Sequence, residues 1–224
     1  MSVIDFDFHP DWFMASPRPN CGSWINDVLK KKNILKCILI GVSSSDISNF
    51  PLYTANFKAL ENDRVEIYPY SHKPSVVYFR KVPDNISVEV ERSPFRSRIF
   101  WSELKGKNLA EFFLHVLKRL PTKNVYLTID KDCMNKDAAL TNWEEGRLSL
   151  DDLLLMLKLI KDNTDIVGAD ITGDWSDIVI KGMAKSIVSK LDHPKNFSAK
   201  AMPKAEITRL NEETNLRILE TLFS

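Results

Sequence analysis

Residues 2–11 read Ser2-Val3-Ile4-Asp5-Phe6-Asp7-Phe8-His9-Pro10-Asp11, an apolar run that closes on alternating acids around a single histidine. The first part, "SVIDFD" (2–7), has the length and Val/Ile content of a strand buried on both faces, the signature of a parallel sheet. Three more runs are of the same kind: "LKCILIG" (35–41), "NVYLTI" (124–129) and "DIVGA" (165–169). Helical patterns lie between them: "SWINDVLKKK" from Ser23, "NLAEFFLHVLKRL" (108–120) closed by Pro121, and "SLDDLLLMLKLIKDN" (149–163). In the last of these, Ser149 suits an N-cap and Asp151 and Asp152 suit the first turn. Strand and helix alternate, so the expected class is α/β, with helices on both faces of a mostly parallel sheet.

The middle departs from this pattern. Residues 65–101 hold four prolines, Pro69, Pro74, Pro83 and Pro94, amid period-2 alternation such as Ser87-Val88-Glu89-Val90-Glu91, and read as a strand-rich excursion. The tail after Trp175 reads as helical twice, interrupted by "DHPKNFSAKAMPKAE" (192–206). A chain of 224 residues that is 44% apolar supports one domain over 1–224 better than two. With 31 basic and 30 acidic residues spread along it, it carries no electrostatic footprint for nucleic acid. No leader-like start and no apolar run of about 18 residues is present, so a membrane partner is not expected and a cytoplasmic location is. Cys21, Cys37 and Cys133 form no paired framework, which fits a reducing compartment.

In open parallel sheets, ligands gather beyond the carboxyl ends of the strands. Two acidic clusters fall there, Asp7-x-His9-x-Asp11 and Asp130-Lys131-Asp132, and Asp170 ends a third run. Strand alternation puts Asp7 with His9, and Asp130 with Asp132, on common sides if the extended backbone persists. Aspartates commonly end strands as turn formers or helix caps, and either cluster alone reads that way. Together they describe a cost, since buried like charges raise one another's pKa, and a divalent cation removes it. Oxygen ligands with one imidazole suit Mn²⁺ best, with Mg²⁺, Fe²⁺ or Zn²⁺ as alternatives, in one ion or a bridged pair. Cys21 is a weaker candidate for a nucleophile, lacking an identifiable base. Cys133, His115 and His193 read as packing or surface residues, and His72 is the one histidine worth testing as a further ligand. Trp12 and Trp24 flank the first cluster as core or pocket wall.

These motifs carry a resemblance. Asp7-Phe8-His9-Pro10-Asp11 resembles the Asp-x-His-x-Asp motif of the arginase and agmatinase (ureohydrolase) superfamily, and Thr128-Ile129-Asp130-Lys131-Asp132 resembles its later Ser-Phe-Asp-x-Asp motif, in the same order and strand context. "NCGSWINDVL", "EEGRLSLDDLLLMLKLI" and "DIVGADI" are softer matches, and the "DFHPD" start is also similar to that of the UPF0489 family. The resemblance implies an arginase-like three-layer fold and a metal-dependent hydrolase, in which hydroxide on the metal attacks a guanidino, amidino or amide carbon of a small molecule. It implies metal ligation by Asp7, His9, Asp11, Asp130 and Asp132, Asp7 and Asp130 bridging, with Asp11 or Asp132 carrying a proton; a homo-oligomer is also open. Departures accompany it. The family's upstream metal-binding histidine has no counterpart before residue 2, so one ion held by Asp7, His9, Asp130 and Asp132 is the expectation. Cys21 stands where the family has a histidine, and Gly173 where it has the acid that holds a guanidinium. Two other readings stay open. "VIDFDF" also resembles the Asp-x-Asp opening of haloacid-dehalogenase-like phosphatases, with Asp5 as nucleophile, Asp7 as general acid, and Asp174 and Asp177 as late Mg²⁺ ligands. The other is a degenerate relative that binds metal without catalysis.

Overall fold

The computed structural model describes residues 1–14, 18, 20–175 and 202–223. Five strands build the main sheet: β1 (Ser2–Phe6), β2 (Lys36–Ile40), β3 (Val65–Tyr68), β7 (Asn124–Asp130) and β8 (Asp165–Thr172). Their order is β3-β2-β1-β7-β8, and every pairing is parallel. The chain leaves β1 in one direction to build β2 and β3, then returns to its other side for β7 and β8. The strand order therefore reverses between β1 and β7, the kind of crevice where parallel sheets take ligands.

Apolar content on both faces of the strands requires two covering layers. Ile4 and Phe6 of β1, Ile38 and Ile40 of β2, and Val125, Leu127 and Ile129 of β7 share one core with three helices. These are α3 (Leu109–Lys118), α4 (Leu150–Asn163) and α5 (Lys204–Phe223). Asn108 caps α3 by accepting from Glu111 N, and Ser149 caps α4 by accepting from Asp152 N at 3.1 Å, as its position before two acids leads one to expect. The opposite residues, Val3, Cys37, Leu39, Val65 and Ile67, pack with Ile25 and Leu29 of α1 (Trp24–Leu29) and with Phe57 and Leu60 of α2 (Phe57–Glu61). α1 stops short of the three lysines 30–32, which are exposed and have no apolar surface to cover.

The strand-rich middle divides. Val65–Tyr68 joins the main sheet as its edge, while β4 (Ser75–Tyr78), β5 (Val88–Ser93) and β6 (Arg96–Trp101) form a separate antiparallel sheet in the order β4-β6-β5. That sheet is no free-standing unit, because Val77, Val88, Val90, Ile99 and Trp101 lie in the same core as α1 and α2. The expected helix directly after Trp175, together with His193 and Asp177, lies outside the described residues. Among the described residues no helix is long and apolar enough to cross a membrane.

Candidate metal centre

β1 is extended only to Phe6, and beyond it side-chain bonds to backbone set the path of the chain. Asp7 N still donates to Ile40 O at 3.1 Å, but Asp7 Oδ1 accepts from His9 N at 2.6 Å and turns the chain. Asp11 has φ of 44°, a left-handed conformation that aspartate tolerates better than most residues. Its Oδ2 accepts from Trp24 Nε1 at 2.8 Å and its carbonyl from Ile25 N at 3.2 Å, so α1 fixes the end of the motif. β7 ends differently. Asp130 caps a short 3-10 turn, Lys131–Cys133, by accepting from Asp132 N at 3.1 Å. The extended backbone thus does not persist past Asp130, and the turn carries Asp132 toward β1. There Asp132 Oδ1 accepts from Phe8 N at 3.1 Å and Oδ2 from Trp143 Nε1 at 2.9 Å.

Asp7, His9 and Asp132 converge, with one potential ligand atom from each lying within 4.8 Å of the others. His9 Nδ1 is 3.2 Å from Asp132 Oδ2 and 3.5 Å from Asp7 Oδ1, while its Nε2 faces Glu144 Oε2 at 3.7 Å. Asp7 and Asp132 are buried and His9 is partly exposed, so the group opens to solvent on the histidine side. Asp130 and Asp11 stand beside the trio rather than in it, close enough for their charges to be felt.

Electrostatics show what this group would take up. Burial pushes the Asp7 carboxyl well above the usual range, the bond from His9 opposing and the charges of Asp132, Asp11 and Asp130 adding. Burial likewise raises Asp11 to about 7, against His9 and Trp24, and raises Asp130 to about 6 with help from Asp132. For His9 burial disfavours the charged ring, but hydrogen bonds to Asp132 and Asp7 prevail and lift it to about 11. Below these sits Asp5, 1% exposed, raised by burial and by the acids above it, with Oδ2 unpartnered. A proton on His9 is a poor substitute for a divalent cation here. Two carboxylates and an imidazole nitrogen are a donor set that Mn²⁺, Fe²⁺ or Zn²⁺ accepts, and the convergence of Asp7, His9 and Asp132 fits one.

The remaining candidates fall elsewhere. Cys21 is exposed at the start of the 3-10 turn Cys21–Ser23, and no bond among the described residues joins it to the trio. Cys133 is buried in the core, and burial holds its thiol protonated. His72 is spoken for by Ser48 Oγ at 3.0 Å and Lys73 O at 2.6 Å, and His115 is exposed on α3. Trp12 is core, edge-on to Phe57 and Trp101. Asp5 is too deep to meet an ester, which leaves the phosphatase reading without an accessible nucleophile, and Asp174, one of its two late acids, pairs with Lys131. Asp170 accepts from Thr128 Oγ1 at 2.8 Å.

At Gly173 the backbone leaves no room for a side chain. Its φ is +82°, and a Cβ there would lie 2.4 Å from Asp130 Oδ1 and 2.8 Å from Lys131 N. Gly173→Ala is therefore expected to cost about 1–3 kcal/mol, from backbone strain and displacement of Asp130, read as a lowered melting temperature. Sequence reading misses Trp143 and Glu144. Their one signal is a tryptophan isolated among polar residues in "TNWEEGR" (141–147), just ahead of the α4 cap.

No family model matches the chain. The fold is that of the ureohydrolases, the arginase and agmatinase class. Formimidoylglutamase from Bacillus subtilis superposes with a TM-score of 0.57 at 16% identity, covering 99% of this chain and 53% of that one. A hypothetical agmatinase from Burkholderia thailandensis gives 0.56 at 15%, covering 100% and 51%. In sequence, an uncharacterized protein of Thermotoga maritima is 28% identical over 172 residues, 77% of this chain and 47% of that protein. The chain spans about half the length of the proteins it matches.

Proposed function

We propose that this chain is a metal-dependent hydrolase of the ureohydrolase type, cleaving a C–N bond other than a peptide bond in a small guanidino, amidino or amide compound. The convergence of Asp7, His9 and Asp132 at the strand-order reversal carries the reading. Mn²⁺ is the preferred ion, as one or two, and when bound it would acidify water and polarise the carbon under attack. The residues of the chain divide the remaining work. Asp132 holds its place through Phe8 N and Trp143 Nε1, which leaves it a ligand rather than a proton carrier. Asp11, beside the trio and fixed by Trp24 Nε1, is placed to take a proton and pass it to the leaving amine. Glu144, 43% exposed beside His9, places an anion at the mouth, suited to a cationic amidinium. Cys21 has no step. Three free cysteines fit a reducing, cytoplasmic setting.

The test is turnover. Protein loaded with Mn²⁺ should release urea, formamide or ammonia from a panel of guanidino, formimidoyl and primary amide compounds, respectively, and Asp11→Asn should slow release by about 10²–10⁴-fold, as loss of a proton carrier does. A loaded protein inert toward every such compound would leave the degenerate, metal-binding reading in its place.

A further inference from the structure

α5 presents an unusual stripe to the core. Asn211 is 2% exposed and Thr214 1%, and with Asn215 they share one face of the helix by their i, i+3, i+4 spacing. Buried polar side chains cost stability unless bonded, and apolar residues would pack there without that cost. Asn211 and Thr214 spend their bonds on a single partner, the chain between β7 and α4, while Asn215 bonds both to that chain and to Asp174. Asn211 Oδ1 accepts from Leu140 N at 2.9 Å, and Asn211 Nδ2 donates to Leu140 O at 2.8 Å. Thr214 Oγ1 donates to Ala138 O, and Asn215 Oδ1 accepts from Lys131 Nζ at 2.9 Å. Lys131, 0% exposed, also pairs with Asp174. The same stretch carries Asp132, Trp143 and Glu144. Its base is closed by Leu148 N to Cys133 O at 3.1 Å, Asn135 N to Leu148 O at 2.9 Å and Gly146 N to Asp132 O at 2.6 Å. Its far end, 138–140, is held by α5.

We infer that Asn211 is a positioning residue: by pairing with both backbone groups of Leu140 it sets the loop that places Trp143 on Asp132, and so tunes the cation site from a helix that does not touch it. The effect passes from Asn211 to Leu140, through Thr141 and Asn142 to Trp143, and from the indole N–H to Asp132 Oδ2. The inference rests on the proposed metal centre for one of its readouts and stands without it for the other.

The experiment compares Asn211→Ala with Leu157→Ala, a buried α4 truncation that lowers stability without touching the loop. Affinity for Mn²⁺ is measured by calorimetry, and protection of the Trp143 indole N–H from solvent exchange by NMR, its signal assigned through Trp143→Phe. Asn211→Ala should lose roughly 10-fold or more in Mn²⁺ affinity, as removal of an outer-shell support does, and most of the indole protection. Leu157→Ala should keep both. Unchanged indole protection in Asn211→Ala overturns the inference, and so does an equal loss in the two variants, which would reduce Asn211 to a stability role. If the wild type binds no Mn²⁺, the proposed function fails, and the indole readout alone decides the positioning role.

Discussion

Asp7→Asn is expected to lower Mn²⁺ affinity by about 100-fold or more, since even the outer-shell partners of metal ligands are worth 10–100-fold, and to raise the melting temperature of the metal-free protein at pH 8. Asp7 is 6% exposed and faces the charges of Asp132, Asp11 and Asp130, so in the absence of a cation its ionisation opposes folding. Asparagine keeps the volume and keeps an oxygen to accept the 2.6 Å bond from His9 N, so the turn survives. The charge does not. Ligand affinity and apo stability should therefore move in opposite directions, a pattern that simple damage to the fold does not produce. Calorimetric titration and thermal unfolding in a chelator check the two halves. An Asp7→Asn protein that binds Mn²⁺ as the wild type does would place the ion elsewhere.

The parallel core is legible in the sequence because its strands are buried on both faces and so read as continuous apolar runs. Ser149 announces its helix through cap chemistry that is local in sequence. The two acidic motifs are legible as a pair for the same reason, each closing a strand of that type. How each strand ends is not legible. Asp130 turns its carboxylate back on Asp132 N, and Asp7 turns its own onto His9 N, so backbone capping, not strand alternation, decides which side chains meet. Equal spacing of Asp7 and His9, and of Asp130 and Asp132, hides that difference. Trp143, Glu144 and Asn211 are invisible for another reason. Each acts on the site across a contact set by tertiary packing, and a lone tryptophan or a polar position in an amphipathic helix has many ordinary uses. β3 reads with the strand-rich middle because Pro69 comes immediately after it, yet its four residues pair with β2 over 37–40.

The affinity for Mn²⁺ should climb steeply with pH, by about tenfold per pH unit for each proton displaced, between pH 6 and 8. In the metal-free protein His9 is lifted to about 11 and Asp11 to about 7, so a cation entering at pH 6 must expel the His9 proton and displace that of Asp11. Stability of the metal-free form should run the other way. Asp11 and Asp130, at about 7 and about 6, bind protons more tightly folded than unfolded. Their contribution is thus complete below about pH 4, the unfolded value, and is lost as pH rises through 6 and 7. His9 adds the same sign over a higher window, fully stabilising below about 6.5 and declining toward 11. A tenfold difference in proton affinity between folded and unfolded chains is worth ~1.4 kcal/mol, so the decline between pH 5 and 8 amounts to a few kcal/mol. With Mn²⁺ at 100 times its Kd, about 2.7 kcal/mol is restored, and only where it binds. Melting curves at pH 5, 6, 7 and 8, in chelator and in Mn²⁺, should therefore diverge as pH rises. Calorimetry in buffers of different ionisation enthalpy should count at least one proton released per ion near pH 7. Parallel curves with no proton release would mean that His9 and its acids do not take up the ion, and that their charges are balanced in some other way.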